Sequence, residues 1–189
     1  MKKNKIKDTG LEVTELSFGT SSLGSMPDTY GYEVPEQRAQ ETLKRFFQGP
    51  VNMLDTSRNY AMGESEKRIG IAIKENEGWP ENFILSTKID RNMDTLVLDK
   101  KRTRESIEES LKTLNVDSVD ILFLHDPEYV KDVNDVTKKD GALDELFKIK
   151  EEGLAKAVGL AMGKINIMFP ILKNWDFDVI INHNRYTLL

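Results

Sequence analysis

One plan recurs in this chain and limits what it can fold into: a short apolar run that stops at a titratable side chain. Val51-Asn52-Met53-Leu54 stops at Asp55, Phe83-Ile84-Leu85-Ser86-Thr87 at Lys88, and Val119-Asp120-Ile121-Leu122-Phe123-Leu124 at His125. Runs of this length and composition read as buried strands, and the polar Thr56-Ser57-Arg58-Asn59 reads as the loop leaving the first of them. Helical patterns fill the intervals, so strand and helix alternate in units about 35 residues apart, which implies a parallel α/β architecture. In a parallel sheet or barrel the strand ends share one face, where ligands bind. Carboxylate, ammonium and imidazole at one rim, with the Tyr60 phenol in the first loop, make a proton-transfer site.

Taken in order, Asn4 to Lys7 and Leu11 to Thr14 flank the turn-former Asp8-Thr9-Gly10 and predict a β-hairpin. Residues 15–20 read as the first strand and its exit, and the Ser-, Gly- and Tyr-containing residues 21–34 as a loop over the active face. The spacing of Ala39, Leu43, Phe46 and Phe47 predicts a helix over 35–48 that stops at Gly49. Strands follow at 51–54, 83–87, 118–124, 155–160 and 178–181, with helices at 64–75, 101–113, 143–152 and 165–174 and a charged loop at 126–140. Gly153 reads as the C-cap of the helix before it. A (β/α)₈ barrel takes about 250 residues, whereas 189 residues supply about six strands. The expectation is one partial barrel domain over 1–189 with two βα units missing and an apolar C-terminus. The phosphate site usual after the seventh and eighth strands would then fall beyond Leu189.

Asp55 with Tyr60, Ser86-Thr87-Lys88 and Leu124-His125-Asp126-Pro127 resemble, in order and spacing, the Asp/Tyr/Lys/His tetrad of the aldo-keto reductase superfamily. His125-Asp126-Pro127-Glu128 and Asn184-Arg185-Tyr186-Thr187-Leu188-Leu189 look like its aldose 1-dehydrogenase branch, the L-galactose, L-fucose and D-threo-aldose dehydrogenases. The resemblance implies a (β/α)₈ TIM barrel plugged by an N-terminal hairpin. It also implies NAD or NADP as cofactor and hydride transfer to or from a carbonyl or sugar hemiacetal, with aldose oxidation at C1 to a lactone. Tyr60 would be the proton-transfer group. A phenol titrates near pH 10, and a neighbouring ammonium favours the phenolate, which is the role implied for Lys88. Asp55 would pair with Lys88 and sit by the cofactor, while His125 would hydrogen-bond the substrate oxygen or relay a proton.

Gly19 and Thr20 match the family segment beside the nicotinamide, or form a plain strand-exit turn. Where relatives grip the carboxamide with Ser-Asn, this chain has Ala161-Met162. His183 stands where many relatives carry Gln, and either takes over an amide contact or packs. Tyr186 either stacks on the nicotinamide or packs in the core, and Ala61 stands where a Gly usually follows the tyrosine. Each tetrad member alone has an ordinary reading: Asp55 as a helix cap, Lys88 as a surface residue, Tyr60 as packing. A non-catalytic or regulatory relative, or an incomplete barrel that self-associates through open strand edges, is the rival to an enzyme.

Several classes are disfavoured. Net charge −5 and pI near 5.2 argue against a nucleic-acid partner, which calls for clustered basic charge. The absence of cysteine removes disulfides and thiolate metal sites and fits a reducing, cytoplasmic setting. No apolar run reaches the roughly 20 residues of a membrane span, and no secretory h-region opens the sequence. G-x-G-x-x-G and Walker A motifs are absent. Two histidines 58 positions apart without clustered carboxylates disfavour a catalytic metal.

Overall fold

The structure, a computed structural model, describes residues 1–183. Tyr186 and the segment 184–189 lie outside the described residues. The hairpin is β1 (Lys3–Lys5) against β2 (Glu12–Thr14), antiparallel with Lys3 opposite Thr14. Six parallel strands follow in sequence order: β3 (Phe18–Gly19), β4 (Met53–Asp55), β5 (Ile84–Ile89), β6 (Val119–His125), β7 (Ala155–Met162) and β8 (Val179–Asn182). This is the partial (β/α)₈ barrel that the sequence predicts, with β3 and β8 as its edges.

The helices are α1 (Pro27–Tyr30), α2 (Glu36–Phe47), α3 (Glu64–Glu75), α4 (Lys100–Leu114), α5 (Val133–Thr137), α6 (Ala142–Glu151) and α7 (Ile165–Leu172). Two of them, α1 and α5, occupy segments that read as loops. Pro27 starts the first, and the Asp132 side chain caps the second by accepting from Asn134 N; these single caps are the whole local signal. Asp99 caps α4 by accepting from Arg102 N at 2.8 Å, a contact of the kind that contributes about 1 kcal/mol. Among the described residues, no helix is long and apolar enough to cross a membrane.

Period-two alternation along the strands divides the core. Leu54, Leu85, Ile89, Leu122, Leu124, Val158, Leu160 and Met162 face the helices. Met53, Ile84, Ile121, Phe123, Ala157 and Ala161 face inward, where Ile6 and Leu11 of the hairpin turn pack against them. The hairpin thus plugs the barrel floor. Asn52 fastens it there: its Oδ1 accepts from Thr14 N at 2.8 Å and its Nδ2 donates to Glu12 O at 2.9 Å. β5 and β6 are buried at every position, as strands covered on both faces must be.

The segment between β3 and α2 is held by one cation. Arg68 of α3, 8% exposed, donates from Nη1 to Leu23 O at 2.6 Å and Val34 O at 2.7 Å. Gly70 lets α3 lie against α4, since a Cβ there would stand 2.1 Å from Thr113 O.

Candidate active site

The alternation that builds the inner apolar floor continues upward and changes chemistry. On β4 the inward positions are Met53 then Asp55; on β5, Ile84, Ser86, Lys88 and then Asp90; on β6, Ile121, Phe123 and then His125. Parallel pairing places these ends side by side, with Asp55 beside Ser86. Each strand therefore delivers apolar side chains below and a titratable one above.

Lys88 is 1% exposed. Its Nζ donates to Asp55 Oδ2 at 2.7 Å and to Thr56 O at 2.7 Å, and Ser86 Oγ donates to Asp55 Oδ1 at 3.0 Å. The same ammonium stands 4.6 Å from the centre of the Tyr60 ring. Burial by itself would push Lys88 down, but the Asp55 carboxylate and Tyr60 outweigh it and hold the pKa above the ordinary value. Lys88 lowers the Tyr60 pKa, as expected, but does not set the net shift. Burial raises it by more than Lys88 lowers it, and the Asp55 charge adds to the rise, so Tyr60 lies above the ordinary phenol value. At neutral pH Tyr60 therefore holds its proton.

His125 is 7% exposed, and its ring meets that of Tyr60 edge to face at 6.2 Å. Below it lies Asp90, 1% exposed, which the sequence reading missed. Asp90 Oδ1 is 2.6 Å from His125 Nδ1, and Asp90 Oδ2 accepts from Ser57 Oγ at 2.5 Å and Asn59 N at 3.0 Å. Burial would raise Asp90, but these bonds together prevail and hold it below the usual carboxylate value. An ionised Asp90 can only accept, so Nδ1 of His125 carries a proton, and in the neutral ring Nε2 is left as the acceptor. Asp90 was legible as the next inward position after Lys88, had β5 been extended past Thr87.

The remaining candidates divide. Gly19 pairs in register with Asp55 and has open space above it. The Thr20 hydroxyl is fully buried and donates to Asp55 O at 2.9 Å, which commits it to fixing β3 on β4. Ala161 and Met162 are fully buried and apolar. The Tyr60 loop is strained: Ala61 and Met62 have φ of 50° and 55°, a region that costs a non-glycine residue roughly 1–2 kcal/mol.

One correction concerns the histidines. β8 carries His183 to the same rim, where its ring stacks on His125 at 6.0 Å. Its Nε2 is 3.1 Å from Asp126 Oδ1, and that carboxylate raises the His183 pKa. The histidines thus cluster with a carboxylate, because strands distant in sequence end side by side. Glu128 joins the neighbouring loops, accepting from Gly163 N at 2.6 Å and Lys164 N at 3.1 Å. A cavity of about 570 Å³ lined by Asp99, Lys100, Arg104 and Glu145 belongs to the helical layer and includes none of these groups.

The sequence matches the Aldo/keto reductase family over residues 15–189. It is 33% identical to L-galactose dehydrogenase of Arabidopsis thaliana, over 95% of this chain and 55% of that protein. It is 28% identical to D-threo-aldose 1-dehydrogenase of a Pseudomonas species, over 95% of this chain and 59% of that protein. A solved aldo-keto reductase from Bacillus halodurans in its holo form superposes with a TM-score of 0.76 at 26% identity, covering 95% of this chain and 56% of that one. The chain spans somewhat over half the length of the relatives it matches.

Proposed function

The chain belongs to the aldo/keto reductase family, and from that premise we propose that the whole protein is an NAD- or NADP-dependent oxidoreductase that oxidises an aldose at C1 to a lactone. The observation that carries the reading is the Lys88 ammonium, buried against Asp55 and placed 4.6 Å from the centre of the Tyr60 ring. Lysine is almost never fully buried without a partner, and this one is spent on the groups beside a phenol at the strand-end rim. The similarity to two dehydrogenases of aldoses supports the choice of substrate class.

The residues present fit the nicotinamide end of such a cofactor. Gly19 leaves open space beside Asp55, and the half-exposed His183 imidazole offers a polar group that the apolar Ala161 and Met162 do not. A bound nicotinamide supplies or accepts the hydride. The chain's own groups handle the proton. His125, held at Nδ1 by Asp90, turns Nε2 toward the rim, where it hydrogen-bonds and orients the substrate oxygen. Tyr60, whose ring stands 6.2 Å from that of His125, takes the hydroxyl's proton once ionised, with Lys88 stabilising the phenolate. In the reductive direction the protonated Tyr60 is the donor. Because the Tyr60 pKa is raised, the oxidative rate climbs with pH on the alkaline side while the reductive rate falls.

The whole protein, supplied with NAD⁺ or NADP⁺ and a panel of aldoses that includes L-galactose, should form reduced nicotinamide and lactone with or without a chelator. With sugar deuterated at C1, the label should move to the nicotinamide. Loss of turnover in chelator with recovery in zinc, or reduced nicotinamide lacking the label, would contradict the reading.

A further inference from the structure

The rim brings together three metal-type donors, two of which, His125 and His183, also face the proposed reaction. One ring nitrogen of His125, a carboxylate oxygen of Asp126 and one ring nitrogen of His183 all lie within 4.8 Å of one another. His125 Nε2 is 3.7 Å from Asp126 Oδ2, and His183 Nε2 is 3.1 Å from Asp126 Oδ1. An ion held tetrahedrally at the usual 2.0–2.2 Å from nitrogen and oxygen donors keeps those donors roughly 3.4 Å apart. Both imidazoles are thus within small side-chain movements of sharing an ion with the Asp126 carboxylate.

We propose that His125, Asp126 and His183 bind one divalent transition-metal ion of the zinc type, and that this ion inhibits the protein by occupying His125. Two imidazoles and one carboxylate, leaving a position open, form a donor set that suits zinc. A second and independent observation is Asp90. Metal-binding histidines commonly donate their far ring N–H to a carboxylate, which fixes the tautomer and makes the ligating nitrogen more basic. Asp90 does this to His125 at 2.6 Å, and its own position is set by Ser57 and Asn59. Asp126 is turned back over the rim by a left-handed backbone, φ 47°, and anchored by its N–H to Ala161 O at 2.8 Å. The further charges that act on the cluster are Lys88 and Glu128 on His183, and Arg91 on Asp126. The binding stands apart from the proposed activity; the inhibition rests on it.

The test titrates the purified full chain, stripped with chelator, with zinc chloride by calorimetry and with cobalt(II) chloride by visible absorption. The expected result is one ion per chain, with a dissociation constant on the order of micromolar, and a cobalt spectrum of tetrahedral nitrogen–oxygen type. His183→Ala and Asp126→Asn should each weaken zinc by about 100-fold or more, and Asp90→Asn by about 10- to 100-fold. Absence of stoichiometric binding, or variants that bind within about threefold of the parent, overturns the site. Should a variant lose its circular dichroism spectrum, the cobalt spectrum of the parent decides: a purely octahedral, aquo-like spectrum overturns the proposal. Zinc should also stop turnover of the whole protein at the concentration that fills the site. Binding to all three residues without inhibition would keep the site, and would remove His125 from the reaction and with it the inhibitory role.

Discussion

Glu66 sits at 0% exposure on α3, behind the strand that carries Lys88, and its Oε1 accepts from Thr87 Oγ1 at 2.6 Å. Burial pushes its pKa from 4.5 to about 7. The native state therefore binds this proton more tightly than the unfolded chain does. Below pH 4.5 both states hold the proton and nothing is lost. Between pH 4.5 and 7 the unfolded chain ionises first, so stability falls as pH rises, and above the folded value the loss is complete. At about 1.4 kcal/mol per pH unit the full loss is on the order of 3 kcal/mol. Glu66→Gln removes the charge while its amide oxygen still accepts from Thr87 and its NH₂ can donate to Ser110. Urea unfolding of parent and variant at about pH 5 and about pH 8.5 tests this. The stability of the variant relative to the parent should grow by roughly 2–3 kcal/mol between the two conditions. A difference that stays the same at both pH values would refute the reasoning, because it would mean that Glu66 is ionised throughout or that water reaches it.

Asp90→Asn should invert the His125 tautomer. The Asn oxygen would take the Ser57 and Asn59 donors, leaving its NH₂ toward Nδ1 and the ring proton on Nε2. Ring-nitrogen NMR, readable with two histidines in the chain, should show the exchange, and kcat should fall about 10²-fold; an unchanged tautomer would remove Asp90 as the positioning group. Ala61→Gly should stabilise the protein by about 0.5–1 kcal/mol, the relief of the left-handed φ of 50° offset by chain entropy; a lowered urea midpoint would show that Ala61 packing outweighs the strain.

Most of the site was legible because strand alternation is short-ranged. Each apolar run that ended in Asp55, Lys88 or His125 announced both a strand and what it delivers. Asp90 was hidden by a boundary: β5 was expected to end at Thr87 and continues to Ile89, so the next inward residue was read as loop. The His125 and His183 pair was hidden by topology. Their strands flank β7, in which Ala161 pairs with His125 on one side and Ile181 on the other, a neighbourhood that sequence separation cannot reveal. The net direction of the Tyr60 shift was hidden for a third reason. A charge partner is visible in sequence, while the burial that outweighs it depends on the packed rim. The two short helices escaped because four and five residues are too few to show a period.

The central claim is that Tyr60 moves the proton at the rim formed with Asp55, Lys88 and His125. The most direct measurement is the turnover of the whole protein with and without the phenolic hydroxyl, alongside cofactor affinity. Tyr60→Phe keeps the ring and removes one oxygen, so kcat should fall by about 10²- to 10⁴-fold while nicotinamide dinucleotide affinity stays within a few-fold. Turnover within a few-fold of the parent would contradict the account.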